Sequence, residues 1–274
     1  MIAVADAGYK AIAPDYRGYG LSDPPPEPEK ASPLTTPMTW SCFSMLSTFQ
    51  STVKLDGKVF LVGKDFGSPI AYLIALLYRK RISGVVALGV PFMPPRPPTH
   101  HKGLPEGFFI SRWKEPGRAE ADFGHFDAKT VVRNIYILFS KSEIPIAGEN
   151  KEIMDMVEPS TPLPPWFTGE DMASYGALYE KSGFRTALQV PYRSMHKHLD
   201  IPDSKVEVPS MLIMGEEDYV FKVPGIEDYI RSGEVKTYVP NLETIYVPEG
   251  THFVQEQFPD QVNQLLLTFL SNRN

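Results

Sequence analysis

Five short apolar runs recur along the chain, each closed by a turn: Lys10–Pro14, Lys58–Val62, Val85–Val90, Met211–Met214 and Thr244–Val247. They are too short for helices and lack the alternation of a sheet with one wet face. They therefore predict strands buried on both faces, as in a parallel sheet. After the second run, Pro69-Ile-Ala-Tyr-Leu-Ile-Ala-Leu-Leu-Tyr-Arg-Lys80 is long, apolar and free of internal breakers, which predicts a core helix. Strand, turn, helix and strand over 58–90 make a βαβ unit, so the fold class is α/β with a mostly parallel sheet. From Pro91 to Val208 the strand-like runs stop and a helical period takes over, as in Asp127–Leu138. Thr168 with Asp171 three residues later predicts a helix start, and Gly183 its stop. The expected organisation is a core from residues 1–90 and 209–274, ending in a helix over Gln261–Leu270, with an inserted helical lid over 91–208. Residues 32–51, rich in Ser and Thr, lack helical period where a crossover helix is expected.

Composition narrows the partners. With 27 Lys+Arg against 33 Asp+Glu, the net charge of −6 offers no field to attract nucleic acid or an anionic membrane. Cys42 is single and cannot form an internal disulfide. No run approaches the roughly 18 apolar residues of a spanning helix, and no basic-then-apolar leader opens the sequence. The terminal Ser-Asn-Arg-Asn is neither a peroxisomal nor a retention address, so a cytoplasmic protein is expected, as monomer or homodimer. Prolines cluster at Pro24–Pro26, Pro94–Pro98 and Pro162–Pro165 and mark loops, the second being the expected hinge into the lid.

The turn after Val62 reads Gly63-Lys64-Asp65-Phe66-Gly67-Ser68, small residues about a central Asp where a strand passes into a helix. This is the pattern of a nucleophile elbow with Asp in the usual place of Ser. A carboxylate attacks ester carbonyls poorly but suits displacement at a saturated carbon. Alone, the hexapeptide reads equally well as an Asp capping a helix. Asp218, in Gly215-Glu-Glu-Asp218, and His252, in Pro248-Glu-Gly-Thr-His252, each follow a predicted strand. Nucleophile, acid and His thus occur in the chain order of an α/β-hydrolase triad, which favours the catalytic reading. Lys64 is either a cation that lowers the pKa of Asp65 or a structural residue. Strand alternation points it away from Asp65 and favours the second.

On these residues, and on Gly8–Asp23, Val59–Ser68, Phe109-Ile-Ser-Arg112, Gly215–Tyr219, Pro224-Gly225 and Glu249–Phe258, the sequence resembles the plant soluble epoxide hydrolases of the α/β-hydrolase superfamily. The resemblance implies water addition to an apolar epoxide, giving a vicinal diol through an alkyl ester, with no metal or cofactor. It implies Asp65 as nucleophile, His252 as base, Asp218 as its orienter, the Phe66 backbone N–H as oxyanion donor and Tyr192 of the lid as donor to the epoxide oxygen. Phe109 and Trp113 are expected to line the substrate pocket. The family uses two lid tyrosines, and Phe109 stands at the position of the first. Losing one of two donors costs about 10- to 1,000-fold by analogy with an oxyanion hole. Pro191 is expected to kink the helix that carries Tyr192. Family members also begin with strands and a His-Gly-Phe-Pro loop that supplies a second oxyanion N–H. The likeness here starts after that loop, so a truncated chain with exposed sheet edges and impaired activity is expected.

Two other readings stand beside this one. A haloalkane or haloacid dehalogenase shares the triad and holds halide with indole N–H groups. Phe66 occupies a common place for such a Trp, and Trp113 or Trp166 are the other candidates. An inactive fragment that only binds a hydrophobic small molecule is favoured by Phe109 and the missing loop. Arg17-Gly-Tyr-Gly20 lacks the third Gly and following helix of a dinucleotide loop. His100-His101 and His196-Lys-His198 lack the Cys or carboxylate that completes a metal site.

Overall fold

A computed structural model of the chain describes residues 1–16, 18–24, 27, 58–94, 104–193 and 204–272. Residues 32–51, most of the Pro94–Pro98 cluster and the histidines at 100, 101, 196 and 198 lie outside them. Among the described residues, four parallel strands form one sheet in the order β1 Val59–Lys64, β2 Ile82–Leu88, β3 Ser210–Gly215 and β4 Leu242–Val247. Lys64 pairs with Leu88, Leu88 with Ile213, and Gly215 with Val247, so the carboxyl ends finish level along one edge. Loops leaving that edge are where ligands of open α/β sheets bind.

The helix Gly67–Leu77 crosses from β1 to β2 with Ala71 to Leu76 buried in succession. The final helix, Pro259–Ser271, buries Val262, Phe269 and Leu270 in a cluster with Val86, Leu88, Met211, Ile213 and Val247. Fully burying side chains of this size is worth about 1.5–3 kcal/mol each, which keeps β2 and β3 rigid beneath the loops they carry.

Two of the five expected strands differ. Lys10–Pro14 forms no strand, and most of its residues are exposed. Apolar content drives burial, but a strand also needs a neighbour for its N–H and C=O groups, and no described residue pairs with this run. β1 is half-exposed where burial on both faces is expected, and Val62 is 54% exposed. Its hydrogen-bonded neighbour among the described residues is β2 alone, so no described strand covers the other side of β1.

The described residues fall into two compact units, one holding residues 1–14, 58–94 and 204–272, the other 15–16, 18–24, 27 and 104–193. The second is built of helices, chiefly Phe109–Trp113, Arg118–Gly124, Ala128–Phe139 and Gly169–Ser182. Asp127 caps the third by accepting the Thr130 N–H at 2.6 Å. Thr168 and Asp171 form a reciprocal capping box, and Gly183 ends that helix at φ 65°. Buried Arg112 donates to the carbonyls of Lys151 and Gly148 at 2.9 Å and pairs with Glu152, which fixes the loop after the third helix. No helix among the described residues is long and apolar enough to cross a membrane.

Candidate active site

Asp65 follows the last residue of β1 at φ 49°, a left-handed conformation uncommon outside Gly, Asn and Asp. Its N–H donates to the Leu88 carbonyl and its own carbonyl accepts the Ser68 N–H, both at 2.9 Å, so the turn is held on both sides. Space for this turn comes from Gly63. A Cβ there would lie 2.4 Å from the Gly67 carbonyl oxygen. Ser68, fully buried, donates its hydroxyl to the Gly63 carbonyl at 2.9 Å. Gly67 differs, because a Cβ there would meet nothing within 4 Å. Gly63→Ala is therefore expected to destabilise the protein by about 1–3 kcal/mol, with Gly67→Ala tolerated. Thermal melts of both variants check this, and equal losses would contradict it.

The acid and the histidine meet because two backbones touch. A Cβ on Gly215 would lie 2.1 Å from the Gly250 carbonyl oxygen, and the Glu217 N–H donates to that carbonyl at 2.8 Å. The loops after β3 and β4 are thereby clamped together. Asp218 is 2% exposed and His252 4%. Both Asp218 carboxylate oxygens lie 3.0 Å from His252 Nδ1, and Oδ1 also accepts the Val220 N–H at 2.9 Å. A proton on Nδ1 donating to Asp218 leaves Nε2 with a free lone pair. That nitrogen is 3.5 Å from Asp65 Oδ1.

Electrostatics follow from these contacts. Burial pushes the Asp65 carboxyl up, but the His252 hydrogen bond, the charges of His252 and Lys64 and the Phe66 N–H outweigh it and hold it below the ordinary range. The Asp65 side chain remains 34% exposed. Burial likewise pushes His252 down, yet the Asp218 charge and the hydrogen bonds that the protonated ring donates to Asp218 and Asp65 leave the imidazole raised. An ionised carboxylate beside a basic ring is the pairing that a nucleophile and a general base require.

Tyr192, Phe109 and Trp113 belong to the helical unit. Phe109 and Trp113 are buried in an aromatic cluster, and the Tyr192 ring meets them edge-on at 6.3 and 5.2 Å between centroids. Tyr192 sits in a wide π-helical turn, Leu188–Arg193, where a kink is expected at Pro191. Pro191 supplies no backbone N–H, and a π turn, common at functional sites, accommodates that loss. Arg193 anchors the turn through its two terminal guanidinium nitrogens to Glu120, at 2.5 and 2.7 Å.

The Trp113 indole N–H points to Asp122 Oδ2 at 3.5 Å. Burial pushes that carboxyl up to about 6, against N–H contacts from Met154 and Trp113 that favour the anion. A folded value above the unfolded one means that ionised Asp122 costs stability, fully so above about pH 6, and that the cost fades as pH falls toward about 4. Asp122→Asn should stabilise the protein by about 1–3 kcal/mol at about pH 7.5 and much less at about pH 4.5. Urea melts at the two values test this, and an equal effect at both would contradict it.

Sequence reasoning underrated Lys64. Its Nζ is buried without a hydrogen-bond partner among the described residues, near Asp65, Asp218 and His252. Alternation does aim neighbouring side chains apart, but a four-carbon stem can return toward the site. The only available signal was a lysine at the end of an apolar strand. No group of three His, Cys, Asp or Glu side chains among the described residues could hold a metal.

The alpha/beta hydrolase fold family matches residues 1–259. Epoxide hydrolase 1 of Siraitia grosvenorii is 30% identical, covering 98% of this chain and 85% of that relative. The chain belongs to the alpha/beta hydrolase fold family, among the epoxide hydrolases. Within the family, Epoxide hydrolase A of Mycobacterium tuberculosis is 30% identical, with 98% of this chain and 84% of that one covered. Among solved structures the chain is similar to epoxide hydrolase I of potato (Solanum tuberosum), with a TM-score of 0.85 and 28% identity over 99% of this chain and 87% of that one. An epoxide hydrolase of Vigna radiata gives a TM-score of 0.87 and 29% identity, covering 99% of this chain and 85% of that one.

Proposed function

We propose that the protein hydrolyses an apolar epoxide to a vicinal diol through an alkyl ester on Asp65. The observation that carries this reading is the nucleophile elbow with His252 Nε2 at 3.5 Å and Asp218 on the other ring nitrogen. A carboxylate oxygen attacks one epoxide carbon and that carbon–oxygen bond breaks. The departing oxygen takes the Tyr192 phenol proton, a role assigned by resemblance, as are those of the helical unit as lid and of Phe109 and Trp113 as pocket residues. His252 Nε2 then removes a proton from water, whose oxygen adds to the ester carbonyl carbon. The oxyanion falls on the other Asp65 oxygen, and the Phe66 N–H, which already bonds the carboxylate, is suited to hold it. Collapse breaks the bond between carbonyl carbon and alkyl oxygen, His252 returns its proton to that oxygen, and the second water proton, left on the Asp65 carboxyl, passes to the Tyr192 phenolate. Diol and carboxylate result.

The dehalogenase reading is not favoured. Phe66 has no ring N–H, the Trp113 N–H faces Asp122, and the relatives compared above are named epoxide hydrolases. The inactive-binder reading finds no support in an assembled triad.

The bond changes make a distinctive isotope prediction. In a single turnover with enzyme in excess in oxygen-18 water, the heavy oxygen should enter Asp65 and the first diol should be unlabelled. A labelled diol from the first turnover would mean direct attack by water and would overturn the ester mechanism.

A further inference from the structure

We propose that Lys64 is a positioning residue of the hydrolysis step: its buried ammonium stands against the His252 imidazole and keeps that ring neutral, hence basic, at lower pH than the flanking carboxylates alone would allow. The inference rests on the ester mechanism for its place in the reaction, and on geometry for its existence.

Gly89, the first residue after β2, has no side chain and lies between the two groups. A Cβ on Gly89 would lie 3.0 Å from Lys64 Nζ, 3.1 Å from His252 Cε1 and 3.2 Å from His252 Nδ1. Amine and ring edge are therefore no more than about 6 Å apart, a range at which unit charges interact strongly in a partly dry site. The Nζ is buried, donates to no hydrogen-bond partner among the described residues, and has the Phe253 ring centroid 5.7 Å away. A buried amine without partners is costly, and an apolar side chain would fill the same space without that cost. What the amine supplies is charge.

The charged groups facing the pair are Asp65 after β1, Asp218 after β3 and Glu256 in the helix beyond His252. Asp218 and Asp65 favour the protonated imidazole, and Lys64 opposes them. Burial lowers the lysine itself, while the three carboxylates act to keep it charged. Once Asp65 is esterified it carries no charge, so in the hydrolysis step Lys64 balances Asp218 directly.

The test compares wild type with Lys64→Met and Lys64→Arg. NMR titration of the His252 ring in the substrate-free protein is expected to move up by about one to two pH units in the methionine variant and to stay near wild type in the arginine variant. The acid limb of Asp65-ester decay should move by a similar amount. Lys64→Gln takes the place of the methionine variant if that one does not fold. An unshifted His252 titration in a folded neutral variant overturns the assignment. Because that titration needs no substrate, it decides the role of Lys64 even if wild type forms no ester, an outcome that would count against the reaction instead.

Discussion

Asp65→Asn is expected to lower diol formation at least about 10,000-fold, the scale of losing a covalent nucleophile, while leaving the fold unchanged. Asn matches Asp in shape and is among the few residues that tolerate φ near 49°. The bonds that hold the elbow, from Asp65 N–H to Leu88 and from Ser68 N–H to Asp65, are backbone bonds and survive the change. What is lost is the anion facing His252 Nε2. Steady-state diol formation, with a thermal melt as control, checks the expectation. A folded variant retaining more than about a tenth of the activity would remove Asp65 from the centre of the mechanism, since loss of a nucleophile is far larger.

The second large effect belongs to His252→Gln, which separates the two half-reactions. In the proposed mechanism the base acts after the ester has formed, so alkylation should proceed while hydrolysis slows roughly 100- to 10,000-fold. The expected time course is a burst of about one epoxide opened per chain, followed by near arrest. Stopped-flow or quench measurements read it directly, and slow alkylation without a burst would contradict it. Acid should imitate the variant. His252 is raised by Asp218 against its burial, so its neutral form is lost as pH falls through that raised value. Asp65 is held low by His252 and Lys64 against its own burial and stays ionised further into acid. Ester should therefore accumulate in wild type at mildly acidic pH and clear when the pH is raised.

Much of the candidate site was legible because its parts sit where sequence patterns are strongest. Asp65, Asp218 and His252 each follow a short apolar run, and β2 and β3 are buried along nearly their whole length, which makes such runs easy to see. Gly63 and Ser68 could be recognised as space-saving residues, although Gly67 meets no crowding. Non-local properties were hidden. Lys10–Pro14 has strand composition but no partner, and pairing is not a property of one segment. The π turn at Leu188–Arg193 depends on how a missing N–H is absorbed, for which Pro191 suggests a kink equally well. The environment of Lys64 arises because Gly89, just after β2, lies beside the His252 ring, a juxtaposition of three separate segments.

The ester on Asp65 is the central claim, and intact-protein mass spectrometry after brief exposure to an aryl epoxide tests it most directly. His252→Gln should gain the mass of one epoxide, with the adduct mapped to the peptide carrying Asp65, and the double variant with Asp65→Asn should gain none. An adduct that persists in the double variant, or its absence from folded His252→Gln protein, would contradict the mechanism.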